Sequence, residues 1–180
     1  MNELSLHILD IAQNSITANA SVIEIEVNED IVNNELYIKI SDDGIGMSSD
    51  VLENVRNPFY TSRTTRKVGL GISLFELSCI QSNGDFQLES QVNVGTKLTA
   101  KYEYNNIDRA PLGNIVDTIY LLSINESDVN IIYKHIYNQK QFVFNTNEIK
   151  EVLDGVSLKE YSIMKWMKEY LLNGIIDIKD

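Results

Sequence analysis

The sequence predicts an α/β layered fold on three observations. A helix-type spacing of apolar residues opens the chain, apolar–acidic alternation follows it twice, and the succession runs helix, strands, helix, helix, strands instead of regular βαβ units. Residues 4–18 carry Leu4, Ile8, Leu9, Ile11, Ala12 and Ile16 on one face and predict the first helix. Residues 22–27 and 36–40 alternate (Ile23, Glu24, Ile25, Glu26, Val27) and predict an antiparallel strand pair joined across Asn33-Asn34. A short helix is expected over 49–55, a longer one over 70–81, and strands over 86–90 and 97–104 about the turn at Asn93 to Gly95. Beyond a turn-rich seam at 105–113, helix 113–123, hairpin 129–137/141–145, helix 147–153 and helix 157–172 complete the order. Ser157 and Glu160 have capping-box spacing, and Ile163, Met164, Met167, Tyr170 and Leu171 form one apolar stripe. The seam divides the chain into a main domain, 1–104, and a small α+β C-terminal portion, 105–180.

With 180 residues, 43% hydrophobic and 23% charged, the chain has the composition of a folded protein with a real core. Its net charge of −11 opposes nonspecific binding of nucleic acid and of anionic membrane. The single cysteine, Cys79, excludes an internal disulfide. The N-terminus lacks the pattern of a secretory signal and no apolar run reaches spanning length, so the chain reads as cytoplasmic and outside the membrane. The charge is uneven: residues 1–104 hold −8 and the remainder −3. Yet residues 54–75 contain Arg56, Arg63, Arg66 and Lys67 and no acid. A solvated loop and an anion-facing segment would both look like this.

Three further segments carry chemistry. His7, Asp10 and Asn14 fall within about 60° of arc on a helix, facing one place, as a solvated ridge or a site. Asp42-Asp43-Gly44-Ile45-Gly46 ends a strand; its glycines let backbone approach a ligand and its carboxylate accepts from an amine, although Asp-Gly is also an ordinary turn. Gly69-Leu70-Gly71-Ile72-Ser73-Leu74 leads into a helix whose first-turn N–H groups favour an anion. Leu74 in the sixth position excludes the dinucleotide fingerprint, and no P-loop motif is present.

In this order the segments resemble the GHKL ATP-binding family of gyrase-type topoisomerases, heat-shock chaperones, histidine kinases and MutL-type ATPases. Asp10-Ile11-Ala12-Gln13-Asn14-Ser15 is similar to its N-box, Asp42 to Gly46 to its first glycine box, and Gly69 to Ser73 to its second. Asn57 to Arg63 resembles the Pro-Phe-Phe-Thr segment of histidine kinases, and Gly95-Thr96 the glycine-threonine pair that closes the pocket. The likeness covers residues 4–102 and stops before the C-terminal portion.

The resemblance implies a Bergerat two-layer α/β sandwich, a mixed sheet with helices on one face, holding ATP and Mg²⁺. It implies Asn14 as the Mg²⁺ ligand, Asp42 as acceptor for the adenine amino group with Thr96 nearby, and Gly44 and Gly46 as the approach for the base. Gly69, Leu70 and Gly71 would offer N–H groups to the phosphates, while Arg63, Arg66 and Lys67 would neutralise them from a lid. Asp10 stands where the ATPase branches place a general base. Because these motifs begin ten residues into the chain, no phosphoacceptor hairpin is expected upstream, and His7 is expected to line the nucleotide site or cap its helix, with His135 a strand residue. Three activities stay open: phosphorylation or ATP-dependent control of a separate protein, ATP hydrolysis as a MutL-like switch, and nucleotide-responsive binding in which 105–180 docks a partner. A homodimer is compatible with each.

Overall fold

The computed structural model describes residues 2–57 and 70–180. In chain order the elements are α1 (Leu4–Thr17), β1 (Val22–Asp30), β2 (Glu35–Asp42), α2 (Ser49–Val55), α3 (Leu70–Gln81), β3 (Asp85–Gln91) and β4 (Gly95–Glu103). There follow α4 (Ile115–Ser123), β5 (Asn130–Tyr137), β6 (Lys140–Asn145), α5 (Thr146–Leu153) and α6 (Tyr161–Lys179). The strands form one six-stranded mixed sheet in the order β3-β4-β2-β1-β5-β6. Every pairing is antiparallel except β1 with β5, which is parallel.

Period-two alternation sets the layers. Ile23, Ile25 and Val27, then Leu36, Ile38 and Ile40, Leu98, Ala100 and Tyr102, and Ile131 and Tyr133 all point to the buried face. Leu4, Ile8, Ile11 and Ala12 of α1, Ile72 and Phe75 of α3, Ile119 and Leu122 of α4, and Met167 and Leu171 of α6 pack into the same core. The other face carries cross-strand charge pairs, Lys39–Glu26 at 3.0 Å, Lys134–Glu26 at 3.7 Å and Lys101–Glu35 at 2.5 Å, as an open sheet surface requires. This is a two-layer α/β sandwich. Among the described residues no helix is long and apolar enough to cross a membrane.

Residues beyond the seam continue the same sheet, through β5 and β6, and the seam itself completes α1. Glu3 gives α1 no side-chain cap. Instead the Leu4 and Ser5 N–H groups donate to the Pro111 and Leu112 carbonyls at 2.9 and 2.8 Å. These bonds satisfy donors that every helix start leaves open. At its other end α1 stops where Asn19 takes φ +59°, and Ala20 N–H returns to the Ser15 carbonyl.

Two expectations are corrected. Ser157 does not cap the last helix: its hydroxyl accepts from Lys159 N–H in a local turn, Leu158 is buried beside it, and α6 starts only at Tyr161, running on to Lys179. Tyr170 of the predicted stripe is 40% exposed, because it lies on the flank of α6, where its ring meets Phe142, Trp166 and only the edge of the core at Phe144.

Away from the glycine boxes, Glu29 is buried on the helix-covered face of β1. Its carboxylate accepts from His135 Nε2 at 2.6 Å, Lys179 Nζ at 2.6 Å and Tyr104 Oη at 3.1 Å, and the Tyr133 hydroxyl meets His135 Nδ1 at 2.6 Å. Burial opposes its ionisation, but the bonds from His135 and Lys179 outweigh that and hold the carboxyl at about 2. This cluster ties β5 and α6 to β1 and the end of β4. His135 is thus a strand residue with a structural partner.

Candidate functional site

Between α1, the start of α3 and the sheet lies a cavity of about 90 Å³. Asn14, Ser15 and Ala18 reach it from α1, Asp42 from the end of β2, Gly46 and Met47 from the following loop, and Thr96 from β4, with Ile11, Ile72, Leu88 and Leu98 as apolar walls. Four of the predicted residues, Asn14, Asp42, Gly46 and Thr96, therefore meet in one place. A more open groove of about 310 Å³ shares Asp42 and Thr96 with it, takes in Ser90 and Gly95, and continues past Ser41, Glu89 and Lys97, which belong to the open face. The smaller cavity is the enclosed one, between the layers.

The two aspartates of the first glycine box separate by strand parity. Asp42 points inward with Ile38 and Ile40; its Oδ2 accepts from Ser15 Oγ at 2.5 Å and its Oδ1 from Gly44 N–H at 2.9 Å. Both bonds are made to a carboxylate that keeps further lone pairs for a ligand. Asp43 has left the strand, and its Oδ1 accepts from the Ser21 and Val22 N–H groups at 2.7 and 3.0 Å. The Val22 N–H above all holds its carboxyl below the ordinary range. Asp42 is free to read a ligand, whereas Asp43 secures the start of β1.

Gly44 packs so closely on Ala18 and Asp42 that a side chain there would meet the Ala18 carbonyl at 2.8 Å. Gly46 takes φ +65° against the Gln91 carbonyl, a conformation and a space that only glycine fits without strain. Asn14 is half-buried in the cavity, and its amide bonds no other side chain or backbone group among the described residues. Asp10, one turn earlier, abuts Gly71 in the first turn of α3, where any side chain would run into its carboxylate. Leu70, the first residue of α3, is 54% exposed. Arg63, Arg66, Lys67 and Gly69 lie outside the described residues, as does the segment from Pro58 to Arg63.

His7 does neither of the things expected of it. It sits buried between α1 and α3, stacked on Phe75 at 4.9 Å, outside the cavity, and it caps nothing. Burial, with a smaller push from the terminal amino group, brings it down to about 4, so it is neutral near pH 7. Arg56, the fourth base of the acid-free stretch, forks onto Glu76 of α3, with Nε–Oε2 at 2.9 Å, and lies over the Phe86 ring. It holds α3 and is not a free phosphate ligand. Sequence reasoning passed over Ser90, whose hydroxyl contacts Met47 N–H at 2.9 Å, the Gly95 carbonyl at 3.0 Å and Thr96 Oγ1 at 2.8 Å. Its signal was available: it shares the inward parity of Phe86 and stands opposite Thr96.

Comparison with known proteins places this arrangement. The chain is 26% identical over 99 residues to a putative sensor protein of Shewanella frigidimarina and 27% identical over 92 residues to sporulation kinase D of Bacillus subtilis. These matches take in 54% and 51% of this chain but only 15% and 18% of those proteins. Among solved structures, the Aquifex aeolicus MutL ATPase domain complexed with ADP superposes with a TM-score of 0.55 at 13% identity, covering 86% of this chain and 70% of that one. The N-terminal domain of a DNA repair protein gives 0.53 at 18% identity, covering 79% and 52%. The shared fold thus covers more of the chain than its N-terminal half. The family model for histidine kinase-, DNA gyrase B- and HSP90-like ATPases matches residues 2–106, more than half of the chain, and the protein belongs to that family.

Proposed function

We propose that this protein binds Mg²⁺-ATP in the cavity between α1 and the sheet and uses it to phosphorylate, or by ATP-dependent closure to control, a separate protein. The observation that carries the reading is Asp42. Its carboxylate is oriented by Ser15 and Gly44 at the floor of a cavity that also holds the uncommitted amide of Asn14. An oriented carboxylate takes the hydrogens of an exocyclic amino group, as on adenine, and apolar walls at Ile72, Leu88 and Leu98 suit a flat base.

Mg²⁺ fits the residues present. Among the described residues no group of three or more His, Cys, Asp or Glu side chains gathers to hold a metal. Mg²⁺ takes few protein ligands when phosphates and water supply the rest. Asn14 would hold it, and when bound the ion neutralises phosphate charge. The first-turn N–H groups of α3, with Leu70 and Gly71, favour the phosphates, and Gly69, Arg63, Arg66 and Lys67 would complete that end.

Asp10 supports a second reading, hydrolysis. Its carboxylate stands one turn before Asn14 against Gly71 and makes no ion pair among the described residues. Both readings are tested by incubating the chain with γ-labelled ATP, alone and with candidate partners. Label on protein above an Asn14→Ala control supports transfer. Phosphate release lost in Asp10→Asn supports hydrolysis, and binding with neither outcome selects a nucleotide-responsive module in which residues 105–180 dock the partner.

A further inference from the structure

Ser90 stands just behind the cavity lining and joins three pieces of backbone and side chain: the loop after β2, through Met47 N–H; the start of β4, through the Gly95 carbonyl; and the Thr96 side chain, Met47 and Thr96 being cavity walls. A serine hydroxyl has one hydrogen to donate and two lone pairs. A backbone N–H can only donate and a carbonyl can only accept. One proton arrangement serves all three contacts: Met47 N–H donates to Ser90, Ser90 donates to the Gly95 carbonyl, and Thr96 donates to Ser90. The Thr96 hydrogen is then turned away from the cavity and only its lone pairs face a ligand.

We propose that Ser90 is a positioning residue for base selection, fixing the Thr96 hydroxyl as an acceptor beside the acceptor Asp42. This inference rests on the ATP reading and deepens it. Asp42 and Thr96 are direct partners across β2 and β4, and Thr96 and Ser90 across β4 and β3, so the three side chains stand abreast on the helix-covered face. Two acceptors side by side call for a base edge that donates. The amino group of adenine has two hydrogens to give. The carbonyl that replaces it in inosine presents lone pairs to lone pairs. Without Ser90 the Thr96 hydrogen is released, can turn toward the cavity, and can donate to that carbonyl.

The experiment compares the equilibrium affinities of Mg²⁺-ATP and Mg²⁺-inosine triphosphate in the full chain and in Ser90→Ala, Ser90→Thr and Thr96→Val, with thermal melts to establish folding. The unmodified chain is expected to prefer ATP. Ser90→Ala is expected to reduce that preference about tenfold, the size of one hydrogen bond made or misdirected, and Ser90→Thr to retain it. Thr96→Val reads the same point if Ser90→Ala does not fold: it too should lower the preference for ATP. Equal weakening of both nucleotides in Ser90→Ala would make Ser90 only a brace for the Met47 loop and overturn the inference, while ATP binding itself would stand. A chain that binds neither nucleotide would remove the ATP reading and this one together.

Discussion

Replacing Glu29 by glutamine removes one charge from a group that is 6% exposed while keeping its shape. The native carboxyl is held at about 2, against 4.5 for an ordinary glutamate. At about 1.4 kcal/mol per pH unit, that difference corresponds to at most about 3 kcal/mol of stability near neutral pH. The Lys179 side chain is 37% exposed, so solvent screens its share and about 2 kcal/mol is the expected loss in Glu29→Gln. A depressed carboxyl stabilises the fold fully above the unfolded value and loses that contribution as the pH falls toward the folded value. The gap between wild type and variant should therefore be widest above about pH 5 and close as the pH drops toward about 2. Urea unfolding followed by far-ultraviolet circular dichroism at about pH 7, 5, 4 and 3 measures it. A gap that is absent at neutral pH, or constant through the acid range, would refute the argument that this carboxylate clasps β5 and α6 to β1.

Gly71→Ala should change stability by less than about 1 kcal/mol, since the helix gain of alanine over glycine offsets displacement of the Asp10 carboxylate. Any ATP hydrolysis should fall with it as in Asp10→Asn; unchanged turnover would take Asp10 out of the phosphate end. Arg56→Ala should leave ATP affinity unaltered, because its guanidinium already belongs to Glu76, while Arg63→Ala combined with Arg66→Ala should weaken ATP much more than adenosine. Binding titrations of both ligands decide this, and equal weakening of ATP and adenosine would show the lid assignment to be wrong. Ser15→Ala should cost ATP affinity by about tenfold through a freed Asp42 carboxylate, with Ser15→Thr restoring part of it; an unaffected affinity would mean that the Ser15–Asp42 bond is incidental.

Local pattern carried much of this molecule. The spans of α2 and α3 are those expected, because Ser48 caps the first and the Leu70-to-Gln81 run has no proline and no glycine beyond its first turn. The resemblance led to the expectation of Asp42 and Asn14 at one site; the structure brings both to one cavity, which only one of the paired aspartates faces. What remained hidden depends on long-range pairing. Glu29 could be flagged as an acid at an inward position after Ile23, Ile25 and Val27, and His135 likewise follows Ile131 and Tyr133. Joining them needs the parallel β1–β5 pairing across the seam, which no local periodicity encodes. Ser90 differs: the expected hairpin about Asn93 to Gly95 already sets it opposite Thr96, but a lone serine at an inward strand position belongs to no motif. Ser157 misled because serine bonds to nearby backbone in turns as readily as at helix starts.

Calorimetric titration of Mg²⁺-ATP into the full chain and into Asp42→Asn tests the central claim most directly. The carboxylate that Ser15 and Gly44 orient should make the difference between firm binding in the wild type and affinity weaker by about tenfold or more in the variant, with both proteins folded. A wild type that does not bind ATP, or a variant that binds it equally well, would contradict the account.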